Sequence, residues 1–193
     1  MIDYITGTVT ELNPAFVVVE CNGIGYSINI SLNTYAALDK ADRCKILVHE
    51  AIREDAYLLF GFATEDERDL FRQLITVSGV GAGTARIMLS SVKPPDLREA
   101  IISGDVSILK GVKGIGLKTA QRIIVDLKDK IGKHIGSGEI IAFSDNTARE
   151  EALSALVMLG FARNSATKVV DNLLREDKKL QVEEIVRRAL KLL

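Results

Sequence analysis

Along the first sixty residues, apolar and polar side chains alternate with a period of two, the mark of half-buried strands. FVVVEC at 16–21 and IGYSINI at 24–30 flank Asn22-Gly23, the pair favoured in a two-residue hairpin turn. YITGTVT at 4–10, KILVHEAI at 45–52 and AYLLFGF at 56–62 supply three further strands. A short helix near 34–38 follows the third. Five short strands in this order predict a five-stranded Greek-key barrel, OB-like in class. Glycines 7, 23, 25 and 61 fall at its turns and corners.

From Thr64 the period lengthens to about 3.6. EDERDLFRQLITV at 65–77 predicts a helix with Leu70, Leu74 and Val77 on one face and acidic residues in its first turn, where the macrodipole favours them. TARIMLSSV, DLREAIISG, a short DVSILKGV and KTAQRIIVDLKDKI continue the helical pattern, with Pro94-Pro95 expected to stop the second helix. Gly-Ser-Gly at 136–138 then breaks it, predicting a flexible linker over 134–146. Three more helical patterns close the chain. Gly160 is expected to cap the first in a left-handed conformation, and Asn164 or Ser165 to start the second. The fold class is therefore multidomain α+β. It comprises an OB-like barrel at 1–63, an all-α domain at 64–133, the linker, and a small three-helix bundle, UBA-like, at 147–193.

The 193 residues are 47% hydrophobic and 26% charged, an ordinary soluble composition. No apolar run reaches the roughly 18–20 residues of a membrane span, and MIDYITGTVT lacks the basic and apolar regions of a signal peptide. Cys21 and Cys44 show no metal-binding spacing, so a packing role in a reducing cytoplasm is expected. The net charge of −1 argues against a polyanionic partner, but the charge is unevenly spread. Residues 1–63 carry 4 basic against 8 acidic groups, whereas 110–133 carry 7 against 2. Such a local excess can act on a nucleic-acid backbone.

That excess surrounds a repeated motif. VSGVGAGTARIM at 77–88 and VKGIGLKTAQRI at 112–123 place Gly79 and Gly114 thirty-five residues apart, and Gly81 and Gly116 likewise. A Walker loop requires G-x-x-x-x-G-K-[ST] after a buried strand. Here Leu117 separates Gly116 from Lys118-Thr119, and a helical segment precedes it. The dinucleotide pattern GxGxxG fails as well, since Thr84 and Thr119 stand where the third glycine belongs. The remaining chemistry is phosphate binding by unpaired N–H groups at a helix N-terminus. Alternate glycines let the backbone approach an oxygen closely, while Val80 and Ile115 pin each bend inward. This is the helix-hairpin-helix signature. A single copy has a tight turn between packed helices as its alternative reading; two copies, one of them basic, favour binding to DNA phosphates without regard to sequence. The candidate contacts are Ser78, Gly79, Val80, Gly81, Ala82, Gly83, Thr84 and Arg86 in the first copy. Those in the second are Lys113, Gly114, Ile115, Gly116, Leu117, Lys118, Thr119 and Arg122. A pair related by pseudo-twofold symmetry can grip both strands of a duplex across the minor groove.

No catalytic site, metal site or cofactor is expected. His49 and His134 have no accompanying nucleophile or carboxylate set, and Glu65-Asp66-Glu67 is more simply a negative helix start than a magnesium site for nuclease chemistry.

The order of barrel, doubled hairpin motif, linker and small bundle resembles the RuvA family of Holliday-junction-binding subunits over the whole chain. The likeness rests on GYSINI after the Asn-Gly turn, IREDAYLLFGF at 52–62, both glycine motifs and ALVMLGF at 155–161. It implies a homotetramer or octamer that holds four-way junction DNA open and planar in recombination and repair. It also implies that a hexameric RuvB-like ATPase is the motor and the user of ATP, and that a RuvC-like resolvase is a further partner. Glu54 and Asp55 would be the acidic pin at the fourfold axis; on residue chemistry alone a polar hairpin tip is the favoured reading. Leu156, Leu159, Phe161 and Leu190 would face the motor, or else form bundle core, with Phe161 the anchor expected to be exposed. Family members commonly carry a Lys soon after the first Gly-x-Gly, where this chain has Ala82, Gly83 and Thr84. A lower salt dependence of binding is therefore expected. A general helix-hairpin-helix repair scaffold and a protein-interaction adaptor are the alternatives.

Overall fold

The computed structural model describes residues 1–135, 144–177 and 180–193. Strands β1 (Tyr4–Leu12), β2 (Phe16–Cys21), β3 (Ile24–Ile30), β4 (Arg43–Ile52) and β5 (Tyr57–Phe62) form a barrel, with helix α1 (Leu32–Leu38) between β3 and β4. The barrel closes in the order β1-β2-β3-β5-β4. All its pairings are antiparallel except β3 with β5, which runs parallel from Ile28↔Leu59 to Ile30↔Gly61. Asn22 and Gly23 have φ of 50° and 82°, both positive as the predicted hairpin turn requires. Alternate residues Val17, Val19, Ile28, Ile46 and Val48 fill the interior, and the half-buried, free Cys21 and Cys44 pack against them. Burial pushes the Cys44 thiol pKa upward. Gly61 passes so close to this core that a Cβ there would lie 2.4 Å from Ile46 Cδ1 and 2.6 Å from Ile28 Cγ2.

The last four residues of β5 are buried on both faces, which explains its continuous apolar run. Leu59 and Gly61 face the barrel, while Phe60 and Phe62 face the central helices. These are α2 (Glu65–Leu74), α3 (Ala82–Ser91), α4 (Pro94–Ser103), α5 (Val106–Lys110) and α6 (Leu117–Ile135). The ring of Phe71 on α2 lies 5.3 Å from Phe60, 4.8 Å from Phe62 and 5.3 Å from His49. The outer face of β5 thus shares one core with the helices, beside the barrel's own interior cluster, within a single compact unit, Met1–Gly138. The boundary expected at 63/64 marks a change of periodicity, not a break in packing.

Polar ties cross the same boundary. Glu67, 2% exposed, accepts hydrogen bonds from the hydroxyls of Ser31 and Thr34, the latter at 2.7 Å. Burial raises its pKa, against the two hydroxyls that lower it. Buried Arg68 meets Asp3 at 2.7 Å and Glu65 at 2.5 Å.

Several local expectations are corrected. Pro94 and Pro95 do not merely end α3; they are the first residues of α4, where fixed φ is favourable and the missing N–H has no helical partner to lose. The linker expected over 134–146 is entered by helix from both sides, since α6 runs through Ile135 and α7 (Ser144–Met158) starts at Ser144. His134 is therefore helical, and the rest of that linker, 136–143, lies outside the described residues. Helix α8 (Arg163–Glu176) starts after Ala162 with no side-chain cap, not at Asn164 or Ser165.

The second unit, Glu139–Leu193, packs α7, α8 and α9 (Val182–Ala189) around Leu153, Leu156, Val170 and Ile185. Gly160, at φ 98°, ends α7 as predicted. Its N–H donates to Val157 O at 3.0 Å and that of Phe161 to Leu156 O at 3.1 Å, the paired bonds of a left-handed helix stop. Among the described residues no helix is long and apolar enough to cross a membrane.

Candidate nucleic-acid interface

Each glycine motif forms a bend between two helices. Val77 and Val112 are buried where the preceding chain enters, and Val80 and Ile115, 4% and 5% exposed, plug the bend into the shared core. Val80 N–H donates to Val77 O at 3.0 Å and Ile115 N–H to Val112 O at 3.1 Å. Gly79 and Gly114 complete the reversal at φ 93° and 92°, a conformation costly to a residue with a Cβ. The aliphatic between the glycines is thus an anchor, while both glycines of each motif stand exposed.

The helices that follow begin with free amides. The first α-helical bond of α3 runs from Ala85 N to Gly81 O, and that of α6 from Ala120 N to Gly116 O, each 2.9 Å. The N–H groups of residues 81–84 and 116–119 precede these bonds. No side chain caps α3. Such amides carry partial positive charge and suit an anionic oxygen. The two bends are neighbours: a Cβ on Gly79 would lie 3.9 Å from Thr119 Oγ1. Ser78 and Leu117 are exposed, and Ala82, Thr84 and Thr119 half-buried along the rims.

The cations divide unequally. Lys113, Lys118 and Arg122 are exposed, and among the described residues their side chains make no ion pair or hydrogen bond. Arg86 is otherwise placed than expected. Its Nη1 donates to Ala15 O at 2.8 Å and to Asn29 Oδ1 at 3.2 Å, so it ties α3 to the barrel and is not a free cation for the first bend. The cation beside that bend is Arg53, its Nη2 4.0 Å from where a Cβ on Gly81 would stand. This neighbour was missed because only the packing of barrel on helices brings positions 53 and 81 together. Glu54 and Asp55 occupy the exposed β4–β5 turn, closed by Arg53 N–H to Ala56 O at 2.8 Å. Neither carboxylate makes an ion pair among the described residues.

Of the acids at the start of α2, Glu65 and Asp66 are exposed, whereas Glu67 is the buried strut described above. Among the described residues no group of three or more His, Cys, Asp or Glu is placed to hold a metal ion.

In the C-terminal unit the four apolar candidates separate. Leu156 is fully buried core. Phe161 is half-buried against that core, not the exposed anchor expected, because the Gly160 stop folds it back onto α7. Leu159 and Leu190 are exposed at 59% and 45%, and Met158, not anticipated, at 86%.

Comparison with known proteins agrees with this architecture. Residues 1–61 match the RuvA N-terminal domain model, 71–129 a SAM-like helix-hairpin-helix tandem, and 147–193 the RuvA C-terminal domain model. A protein of Christiangramia forsetii named Holliday junction branch migration complex subunit RuvA is 51% identical over 191 residues, covering 99% of each chain. Proteins of the same name from Bacteroides thetaiotaomicron and Porphyromonas gingivalis are each 48% identical, over 99% and 100% of both chains. With likeness of this extent over its whole length, the chain belongs to the RuvA family.

Proposed function

We propose that this protein is the junction-binding subunit of a Holliday junction branch migration complex, gripping DNA through the amides of its two glycine bends. The observation that carries this reading is the pair of adjacent bends, each opening a helix with free N–H groups. Three cations, unpaired among the described residues, accompany the second bend. Phosphate is what such a surface recognises, so binding is independent of sequence. Ser78 and Thr84 would donate to phosphate oxygens from the first bend.

In a homotetramer, or an octamer of two, the Glu54–Asp55 turns gather around the crossover and repel backbones there. An open junction then binds better than uninterrupted duplex. The exposed Met158, Leu159 and Leu190 form the face offered to a hexameric ATPase motor, and a junction resolvase is a further partner. The chain itself brings no catalytic site and needs no cofactor; ATP is used by the motor. It works in the cytoplasm, on the nucleoid.

The test is competition between a synthetic four-way junction and linear duplex of equal length, with Glu54→Gln/Asp55→Asn beside the wild type. Wild type should hold the junction against a large excess of duplex, and the double variant should bind duplex better and discriminate less. Equal displacement by duplex would reduce the protein to a general DNA scaffold. Failure to bind either DNA at low salt would leave a protein-interaction adaptor.

A further inference from the structure

We propose that Arg53 is the phosphate ligand that completes the first glycine bend, and that it sets how closely a DNA strand passes the carboxylates of Glu54 and Asp55. The proposal rests on the DNA-binding reading of the bends given above. Its first support is position. Arg53 Nη2 lies 4.0 Å from where a Cβ on Gly81 would stand, and Gly81 is the residue at the mouth of α3. The guanidinium therefore borders the same space that the free amides of residues 81–84 face.

Its second support is freedom. Arg53 is exposed and precedes two carboxylates in sequence, yet among the described residues its side chain makes no ion pair or hydrogen bond. A guanidinium offers a planar fork of donors that matches a phosphate with two parallel bonds. The donors are present and unengaged.

Its third support is the asymmetry of the two bends. At the position after Leu117 the second bend has Lys118, and the equivalent position in the first is Gly83. Arg86, the one cation on the helix α3, is bonded to Ala15 and Asn29 of the barrel. The second bend thus draws its cation from its own helix, and the first from the neighbouring barrel. Gly83 also leaves the mouth of α3 open, for a Cβ there would meet nothing within 4 Å.

The placement has a consequence for specificity. Arg53 N–H closes the turn onto Ala56 O at 2.8 Å, at the end of the paired strands where Ile52 faces Tyr57. A cation that attracts a phosphate and two anions that repel it are therefore consecutive residues of one short turn. A strand held by Arg53 is kept at a set distance from the repelling pair.

The experiment titrates the full chain with a four-way junction and with linear duplex between about 50 and 200 mM salt, comparing wild type, Arg53→Gln, Arg53→Lys and Lys118→Gln. Each lost phosphate contact should lower the slope of log K against log salt by about 0.9 per chain engaged, so the wild-type advantage shrinks about 3.5-fold per chain across that range. Arg53→Gln should show this drop with an unchanged melting temperature, because the side chain is exposed. Arg53→Lys should keep the slope yet bind more weakly, and the loss in Arg53→Gln should be greater on the junction than on duplex. A wild-type slope in Arg53→Gln, alongside a lowered one in Lys118→Gln, overturns the proposal and leaves the bends as the DNA site. Equal loss on junction and duplex removes the specificity role. Absence of binding by wild type sinks the underlying reading itself.

Discussion

Gly116 offers the cleanest separation of folding from binding. A Cβ built on it meets no atom within 4 Å, and its φ lies outside the positive range that marks Gly79 and Gly114. Among the described residues nothing demands glycine there. Gly116→Ala should then cost the fold under about 1 kcal/mol, the difference between Gly and Ala at a helix N-cap. For a domain of this size that is a few degrees of melting temperature at most. Gly114→Ala is different, for at φ 92° an L side chain is strained by roughly 1–3 kcal/mol, and the bend itself is distorted. If the free amides of residues 116–119 grip a phosphate, the methyl group that Gly116→Ala adds stands in the path of its oxygen. Loss of one hydrogen bond to a charged group is worth about 1.5–3 kcal/mol, which is on the order of ten- to hundredfold in affinity. Fluorescence anisotropy with a labelled four-way junction, run beside thermal melting, measures both quantities. Gly116→Ala should melt close to wild type and bind far more weakly, while Gly114→Ala should lose both. Wild-type affinity in a well-folded Gly116→Ala would refute the idea that this bend is bare in order to admit a ligand.

The packing and the charges fix four further outcomes. Phe71→Ala should destabilise the protein by about 3–5 kcal/mol. Because Phe60 and Phe62 of β5 pack on that ring, calorimetry should show barrel and central helices melting together at lower temperature; two separate transitions would contradict a shared core. The folded state raises the Glu67 pKa, so it holds that proton more tightly than the unfolded chain does. This group's stabilising contribution is full below the ordinary carboxylate range and is lost as pH rises through the elevated folded value. The urea midpoint of wild type relative to Glu67→Gln should therefore fall as pH is raised, and a relative midpoint that climbs with pH would reverse the assignment. Leu156→Ala should cost about 2–5 kcal/mol as a core deletion. Leu159→Asp, at an exposed site, should stay within about 0.5 kcal/mol yet, on the proposed motor-docking role, abolish stimulation of a RuvB-like ATPase, and retained stimulation would remove Leu159 from that proposed face.

Much of this architecture could be read from periodicity. The five strands, the Asn22-Gly23 turn, the helices flanking each bend and the Gly160 stop are local events, set by residues near one another in sequence. The inward-facing Val80 and Ile115 were readable for the same reason. What escaped were pairings over long separations. Arg86 looks like a phosphate ligand when read along α3, and only the docking of the barrel reveals Ala15 and Asn29 beneath it. Glu67 belongs to an acidic helix start until Ser31 and Thr34 are brought over it. Phe161 departs from the expectation for a local reason: the left-handed residue before it turns the chain back, so a side chain just past the stop lies on the helix.

The barrel's part in binding follows from these long-range pairings. Apolar contact between β5 and α2 stabilises their association but is non-directional, and alone it would allow the barrel to pivot on the helices. The bonds of Glu67 to α1 and its preceding residue, of Arg68 to Asp3, and of Arg86 to Ala15 and Asn29 cross the same boundary from different elements. Each has defined geometry, and stranding the buried Arg68 by removing Asp3 is strongly unfavourable. Together they hold the Arg53–Ala56 turn at a fixed distance from the glycine bends. A protein that selects DNA by shape needs attraction and repulsion kept at constant separation, because a mobile hinge would average the two and lose the discrimination. On the proposed reading, Arg86 serves the DNA site from behind, by fixing where Arg53, Glu54 and Asp55 stand relative to Gly81.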